Sequence, residues 1–267
     1  LSLFDWAKFR TAKGGIKIHT CWDDTMMIPD MINITDAKRH DRYGLNQYVF
    51  LKDTIIVEDR AYFDFSLIKQ RIKAENVFVT RIKSNTVYET YEELDLPEHE
   101  DQDILKDETI YLTSNKAIDA GINEEKLRLI SIYKEDENKV IKVITNQLTW
   151  TARTIADLYK KRWDIELFFK ALKQNLQVKT FIGTSENAVK SQIYIALICY
   201  LLLELIRRTV AKKTQAFSNF VEKIRMCLPF YLTLHYVCNH VNQGAKRIKR
   251  QKQQELIPEQ DLISLKF

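Results

Sequence analysis

The feature that most constrains the fold is a strand, a helix and a second strand in succession. Residues 54–57 form a short continuous apolar run, which is typical of a strand buried on both faces. Apolar side chains then recur with helical spacing over residues 65–73, and residues 76–80 form another β-rich run. Two runs that alternate with period two come earlier, at residues 16–20 and 31–35. This order predicts an α/β fold in which a mixed sheet is flanked by helices.

The sequence pattern changes after residue 83. An acidic stretch and further strand patterns predict a β-rich insertion over residues 84–146. Residues 1–83 and 147–208 then form one core, followed by a helical C-terminal region at residues 209–267. Helices are predicted in this second half at residues 154–176, 186–208, 217–226 and 230–241.

Composition excludes several classes of protein. Six Gly and four Pro among 267 residues exclude collagen and low-complexity chains. A net charge of +5 permits an anionic partner without requiring one. Irregularly spaced cysteines and the lack of a secretory pattern predict reduced thiols inside the cell. The longest apolar run, residues 193–203, is shorter than the roughly 20 residues of a membrane span, so we predict a buried helix and no membrane.

The predicted helix over residues 154–176 carries the most informative pattern. At about 100° per residue, four of its side chains lie in a stripe about 60° wide: Tyr159, Arg162, Glu166 and Lys173. One acid therefore lies among cations, an arrangement suited to a carboxylate that binds a metal ion while its neighbours bind phosphate. The same spacing also describes ion pairs on a solvated helix, and spacing alone leaves both interpretations open.

These four residues match the pattern Y-x2-R-x3-E-x6-K. The pattern resembles the signature of DDE transposases of bacterial insertion sequences, in the insertion-sequence-4 family. Residues 59–62, Asp-Arg-Ala-Tyr, follow a predicted strand and are similar to the D-x-G-Y segment that contains the family's second catalytic Asp. Residues 3–10 and 13–17 resemble the segment after its first catalytic Asp. The resemblance covers residues 1–208.

The resemblance implies a ribonuclease H-like fold with a β-rich insertion before the Glu166 helix. It implies that Asp59 and Glu166 are catalytic carboxylates that bind Mg²⁺, with Mn²⁺ as a substitute. Oxygen ligands are those that Mg²⁺ prefers. It also implies that the phosphates of transposon ends are contacted by Tyr159, Arg162 and Lys173. DNA is the implied partner, bound by a homodimer in a synaptic complex, in the bacterial cytoplasm at the nucleoid.

Two departures from the family pattern stand out. Ala61 occupies the position where the family usually has Gly. The family's first catalytic Asp should lie on a strand just upstream of Leu1, in an Asp-Ser or Asp-Thr motif, and residues 1–267 contain no such strand motif at the matching position. We therefore expect an N-terminally truncated chain that lacks one of three carboxylates and cleaves DNA poorly by itself.

Three functions are consistent with these residues. The first is a transposase that cleaves transposon ends and joins the freed 3′ ends to target DNA. The second is an inactive remnant that binds DNA without its first catalytic Asp. The third, a metal-dependent nuclease unrelated to mobile elements, is less favoured because cations accompany Glu166 in the family's own pattern.

Other candidate sites are weaker. His235, Cys238 and His240 contain zinc-binding groups, but their spacing matches no standard closed zinc site. The basic tail at residues 246–252 is equally consistent with DNA phosphate binding and with a solvated tail. Phe168 and Phe169 are predicted to lie in the core, because aromatic residues on helices are usually buried.

The sequence makes one prediction that coordinates test directly. If Asp59 and Glu166 share one or two metal ions, their carboxylates should lie within roughly 8 Å of each other in the folded chain. Carboxylates on opposite faces of the domain would contradict the catalytic interpretation.

Overall fold

The structure is a computed structural model that describes residues 8–10, 13–38, 48–96, 103–176, 181–210 and 216–230. The chain divides into two compact units, Leu1–Glu166 and Leu167–Phe267. The sheet and the two candidate carboxylates belong to the first unit. The second unit is helical over the residues that the structure describes.

One mixed sheet of six strands organises the first unit. Its strands are β5 (Ile55–Glu58), β6 (Val77–Arg81), β7 (Tyr88–Glu93), β8 (Ile104–Leu112), β9 (Leu127–Lys134) and β10 (Lys139–Thr145). They lie in the order β5-β6-β10-β9-β8-β7. The pair β5 and β6 is parallel, and the other pairs are antiparallel. The predicted α/β class is therefore confirmed, with a mixed sheet and flanking helices as in ribonuclease H-like folds.

Helices cover both faces of this sheet. They are α1 (Phe65–Lys73), α2 (Asn115–Ala120) and α3 (Ala152–Lys161). Ile68 of α1 and Ala117 of α2 pack in one apolar cluster with Phe78 of β6. Ile155 of α3 packs in a second cluster with Val79, the next residue of β6. Because successive strand residues point to opposite faces, β6 is apolar on both sides and is buried between the two clusters.

The predicted β-rich insertion supplies strands β7 to β10. Strand β10 pairs with both β6 and β9, so residues 84–146 extend the sheet that β5 and β6 begin. The division into a core at residues 1–83 and 147–208 and an insertion between them stays a prediction. Most of the predicted C-terminal region, including the helix expected at residues 230–241, lies outside the described residues.

A separate antiparallel hairpin precedes β5. It consists of β3 (Ile16–Asp23) and β4 (Ile28–Asp36), and it follows two short paired strands, β1 (Lys8–Arg10) and β2 (Lys13–Gly14). The hairpin confirms both strands predicted from the alternating runs. Its buried His19 lies between Thr35 Oγ1, 3.0 Å from Nε2, and Tyr62 Oη, 3.4 Å from Nδ1. His19 therefore connects the hairpin to the segment that follows β5.

Three helices account for the described part of the second unit. They are α4 (Trp163–Asn175), whose first turn belongs to the first unit, α5 (Glu186–Val210) and α6 (Phe217–Cys227). Phe168 is 2% exposed and packs edge-on against Tyr200 of α5, with 5.0 Å between ring centroids. Its predicted place in the core is confirmed.

The prediction of a buried helix at residues 193–203 is wrong for one face of α5, because Ile195, Ile198 and Leu202 are more than half exposed. Residues Glu186–Thr209 are long and apolar enough to cross a membrane by length and composition, although a core helix passes the same test. Buried Glu204 lies on this helix and accepts hydrogen bonds from Arg207 and Arg208. Burial alone would raise the pKa of Glu204, but these two hydrogen bonds lower it below its ordinary value. The acid is thereby held as a paired carboxylate.

A buried ion pair anchors the start of α3 to the sheet. Arg128 of β9 is 5% exposed and donates from Nε and Nη2 to the two oxygens of Asp107 in β8, at 2.8 and 2.6 Å. Its remaining nitrogen donates to the carbonyl of Trp150, one residue before the N-cap Thr151 of α3. A buried bidentate pair of this kind fixes geometry, since neither charge has another partner of equal strength.

We expect Arg128→Met to lower the free energy of unfolding by about 3–5 kcal/mol, because it leaves Asp107 buried without its counter-ion. The double variant Arg128→Met/Asp107→Leu should recover most of that loss. Arg153→Met, which removes a half-exposed Arg from α3, is the matched control and should cost less than about 1 kcal/mol. Urea unfolding followed by circular dichroism measures all three, and equal losses for Arg128 and Arg153 would contradict the anchoring role.

Candidate active site

The carboxyl end of β5 positions Asp59. This residue caps a single 3₁₀ turn, Arg60–Tyr62, and its Oδ1 accepts the backbone N–H of Ala61 at 3.1 Å. Half of the Asp59 side chain is exposed, and its other oxygen, Oδ2, pairs with Arg162. Ala61 is not among the described residues with positive φ, and the turn therefore does not require the Gly that the family usually has there.

A buried ion pair holds the strand end beneath Asp59. Glu58 accepts from Arg71 of α1 at 2.8 Å, and both side chains are less than a tenth exposed. Burial raises the pKa of Glu58, and the charge of Arg71 opposes that shift. The hydroxyl of Thr80 donates to the carbonyl oxygen of Glu58 at 3.1 Å, and the guanidinium of Arg71 stacks on Phe50. Asp59 thus extends from a strand end fixed on three sides.

The predicted helix over residues 154–176 is interrupted at Arg162. Helix α3 ends at Lys161 and α4 begins at Trp163. Arg162 keeps right-handed helical angles, but its N–H donates to the carbonyl of Tyr159 at 3.2 Å, one residue closer than in a regular α-helix. The tightened turn places the Arg162 side chain at the junction of the two helices.

Arg162 joins the two predicted catalytic carboxylates. Its Nη1 lies 3.2 Å from Asp59 Oδ2 and 2.8 Å from Glu166 Oε1. Because both oxygens contact the same nitrogen, they lie no more than about 6 Å apart. This confirms the predicted approach of the two carboxylates. The metal-binding and catalytic roles of Asp59 and Glu166 stay predictions.

Tyr159 is more buried than a surface contact residue would be. It is 6% exposed and packs in the apolar cluster between α3 and the sheet. Burial raises the pKa of its hydroxyl, while the charge of Arg162 lowers it. The guanidinium of Arg162 lies 5.9 Å from the ring centroid, within the range of a cation–π contact. Tyr159 therefore supports Arg162 from below, and its predicted contact with phosphate stays untested.

Lys173 lies on α4 two turns beyond Glu166 and belongs to the second unit. Its side chain is exposed. The described residues contain no acidic partner for it, which leaves its charge available for an anion. Its predicted contact with DNA stays a prediction.

Sequence reasoning missed two cations near this site. Arg81 is the last residue of β6, and the parallel register pairs Glu58 with Thr80, so Arg81 lies beside Asp59. Lys161 forms an ion pair with Asp24 in the hairpin turn. Arg81 could have been predicted from the sequence, because it directly follows the predicted strand at residues 76–80, which lies next to β5. The pairing of Lys161 with Asp24 joins residues 137 positions apart and left no local signal.

A pocket of about 500 Å³ adjoins the site. It lies between the β3–β4 hairpin, the outer edge of β5 and the end of α3, and Arg162 forms part of its wall. Burial, followed by the charge of Asp30, raises the pKa of Cys21 in its wall to about 11. Three acids, Asp23, Asp24 and Asp30, line the hairpin side of the pocket.

The two carboxylates provide an oxygen-only ligand set. Mg²⁺ is usually held by one or two carboxylates together with waters and substrate phosphates, so Asp59 and Glu166 fit a divalent ion. Within the residues that the structure describes, no group of three His, Cys, Asp or Glu side chains forms a metal site. The weaker zinc candidate, His235, Cys238 and His240, lies outside the described residues, as does the basic tail at residues 246–252.

A family model described as "Transposase DDE domain" matches residues 4–202. The chain therefore belongs to the DDE transposase domain family. This family acts by metal-dependent DNA cleavage and strand transfer. The matched residues include Asp59 and Glu166, and the described parts of the match contain the whole six-stranded sheet.

Three insertion-sequence relatives are similar over most of the chain. A probable transposase for insertion sequence element IS5377 from Geobacillus stearothermophilus is 29% identical over 82% of the chain. The putative transposase y4zB from Sinorhizobium fredii is 29% identical over 85% of it. A putative transposase for insertion sequence element IS4SA from Synechocystis is 30% identical over 76%. The chain spans 57%, 63% and 55% of the lengths of these relatives, respectively.

We expect Asp59→Asn to change the free energy of unfolding by less than about 1 kcal/mol. The amide oxygen can still accept the N–H of Ala61, and a half-exposed ion pair contributes little. Asp59→Ala removes the cap as well and should cost about 1 kcal/mol. Asp64→Asn, the same substitution at the N-cap of α1, is the matched control. A loss above about 3 kcal/mol for Asp59→Asn in urea unfolding would show that Asp59 is a structural residue.

Proposed function

We propose that this chain is the catalytic domain of an insertion-sequence transposase. It uses a divalent metal ion to cleave DNA at transposon ends and to transfer the freed strand into target DNA. The observation that carries the proposal is the meeting of Asp59 and Glu166 at one guanidinium, from elements more than a hundred residues apart. The family match supplies the reaction class. Assignment to the insertion-sequence-4 family in particular is part of this proposal.

Asp59 and Glu166 would hold Mg²⁺, with Mn²⁺ as a substitute. When bound, the ion activates the attacking oxygen and neutralises charge that develops at phosphorus. Asp59 is pre-positioned because one of its oxygens is fixed by the Ala61 N–H, which leaves the other to face the site. Glu166 sits in the first turn of α4, where a helix favours a negative charge.

Cations around the carboxylates bind the DNA backbone. Arg162 and Arg81 lie beside Asp59, and Lys173 extends the same helix stripe. Each can neutralise a phosphate of the transposon end, and phosphate contacts fix the register of the DNA without reading its sequence. Tyr159 orients Arg162 through its ring and can reach phosphate only if its hydroxyl is uncovered.

The partners follow from this activity. They are transposon-end DNA and target DNA, bound by a homodimer in a synaptic complex. The location is the bacterial cytoplasm at the nucleoid, where the DNA is. These assignments rest on the family match and on the proposed phosphate contacts of Arg162, Arg81 and Lys173.

The alternative, an inactive DNA-binding remnant, is not favoured. Two of the family's three catalytic carboxylates, Asp59 and Glu166, match residues of this chain, and both contact Arg162 Nη1. A remnant that only bound DNA would have no use for two acids beside the phosphate-binding cations, because their charges oppose DNA binding.

In the full-length protein, Glu166→Gln should lower DNA cleavage by orders of magnitude, because it removes a charged metal ligand. Binding to transposon ends should persist or tighten, since a negative charge leaves the phosphate site. Asp157→Asn removes an exposed acid from α3 and is the control, expected to alter neither property. Gel shifts measure binding and Mn²⁺-dependent nicking measures cleavage. Full activity in Glu166→Gln would contradict the proposed site.

Lys173→Ala should weaken DNA binding uniformly across sequences and reduce the slope of log affinity against log salt by about 1. Arg162→Ala should do the same, and Tyr159→Phe should be the mildest of these changes. Lys190→Ala, which removes a cation paired with Glu186 on α5, is the control. Fluorescence anisotropy across a salt series measures the slope. An unchanged slope in Lys173→Ala would exclude a phosphate contact at that residue.

A further inference from the structure

One positive charge occupies the space that the proposed metal ion needs. A single nitrogen of Arg162 contacts Asp59 at 3.2 Å and Glu166 at 2.8 Å. The Arg162 side chain is 18% exposed, whereas the two carboxylates are 50% and 41% exposed. The guanidinium therefore lies beneath and between the acids, and the acids are open to solvent above it.

The guanidinium and a divalent ion cannot use these carboxylates together in this arrangement. A divalent ion coordinated by both acids would lie within a few ångströms of the Arg162 charge, and the two positive charges repel strongly at that distance. Arg162 must move before both acids can ligate the same ion. Because the two acids are 50% and 41% exposed, solvent can replace the guanidinium at either carboxylate, and either contact can be exchanged for another partner.

An N–H donor of Arg162 without an acceptor also favours a second position of the guanidinium. Its Nε–H is buried and donates to no acceptor within the part of the chain that the structure describes. A buried donor without an acceptor is destabilising relative to one that is paired. A phosphate group accepts two parallel hydrogen bonds from a guanidinium, which satisfies this donor more fully than the present pairing does.

We propose that Arg162 is a displaceable counter-ion that couples metal binding to DNA binding. Without DNA, Arg162 neutralises Asp59 and Glu166 and competes with the divalent ion for them. A DNA phosphate draws the guanidinium away, and both carboxylates become free for the metal. Linkage then requires the metal to tighten DNA binding by the same factor as DNA tightens metal binding. The inference rests on the proposed function, because it assumes that these two acids hold the ion.

The first test measures Mn²⁺ affinity of the full-length protein without DNA, by calorimetry and by the electron paramagnetic resonance signal of free Mn²⁺. Arg162→Gln should bind Mn²⁺ about tenfold more tightly than the wild type, because the competing cation is gone. Lys161→Gln removes the neighbouring charge, which pairs with Asp24 instead, and should change affinity by no more than about twofold. If Arg162→Gln binds Mn²⁺ no more tightly than Lys161→Gln, the competition is absent and the proposal is overturned.

Folding of the variant is checked by thermal unfolding. In a chelator, Arg162→Gln should melt at a lower temperature than the wild type, because two acids lie together without a counter-ion. Added Mn²⁺ should raise its melting temperature by more than it raises that of the wild type, as mass action requires of a tighter ligand. An equal Mn²⁺-induced shift in the two proteins would overturn the proposal.

The second test adds a short DNA duplex of random sequence as the phosphate source. The duplex should tighten Mn²⁺ binding by a larger factor in the wild type than in Arg162→Gln. Comparing the two factors cancels the Mn²⁺ that the duplex binds by itself. Equal factors would overturn the coupling.

Asp59→Asn and Glu166→Gln separate failure of the inference from failure of the proposed function. If both variants bind Mn²⁺ as the wild type does, the metal is not held by these acids, and the proposed site is wrong together with the inference. If they lose Mn²⁺ binding while Arg162→Gln gains none, the site stands and only the role of Arg162 is overturned.

Discussion

Burial of the sheet on both faces is the constraint on which the site depends. Phe78 and Val79 are neighbours in β6, are 1% and 0% exposed, and point into different apolar clusters. A slip of one residue would exchange these faces, so the register of β6 is strongly determined. Parallel pairing transfers that register to β5 and fixes where the strand ends, one residue before Asp59. The second cluster also fixes α3, whose Ile155 and Tyr159 pack against the same sheet and whose end presents Arg162.

The ion pairs of the first unit fall into two groups with different physical roles. Glu58–Arg71 and Asp107–Arg128 are buried and hydrogen-bonded, so breaking either leaves a charge without solvent or partner. They fix the strand end beneath Asp59 and the start of α3. The acids that pair with Arg162 are 50% and 41% exposed, although Arg162 itself is 18% exposed, and solvent reduces the cost of exchanging these contacts. Buried ion pairs thus hold a polar site whose own carboxylates are accessible to solvent.

Electrostatics differ on the two sides of Arg162. The hairpin side of the adjoining pocket carries acids such as Asp23 and Asp30, and burial, followed by the charge of Asp30, raises the pKa of Cys21 there to about 11. On the side of the β5 and β6 ends, Arg81 lies next to Asp59. An anion is therefore disfavoured on the first side of Arg162 and favoured on the second.

The sequence by itself determined the elements and the chemistry of the site. Period-two and continuous apolar runs located β3 to β6, and helical spacing located α1 at residues 65–73, because local periodicity records which face is buried. The spacing of Tyr159, Arg162 and Glu166 placed them in one stripe, and the resemblance assigned their roles. Only the tertiary structure decided that strands β7 to β10 extend the same sheet, that the helix is interrupted at Arg162, and that Tyr159 is buried beneath it. These features depend on contacts between residues far apart in the chain, such as Asp59 with Arg162, and a local pattern carries no record of its distant partner.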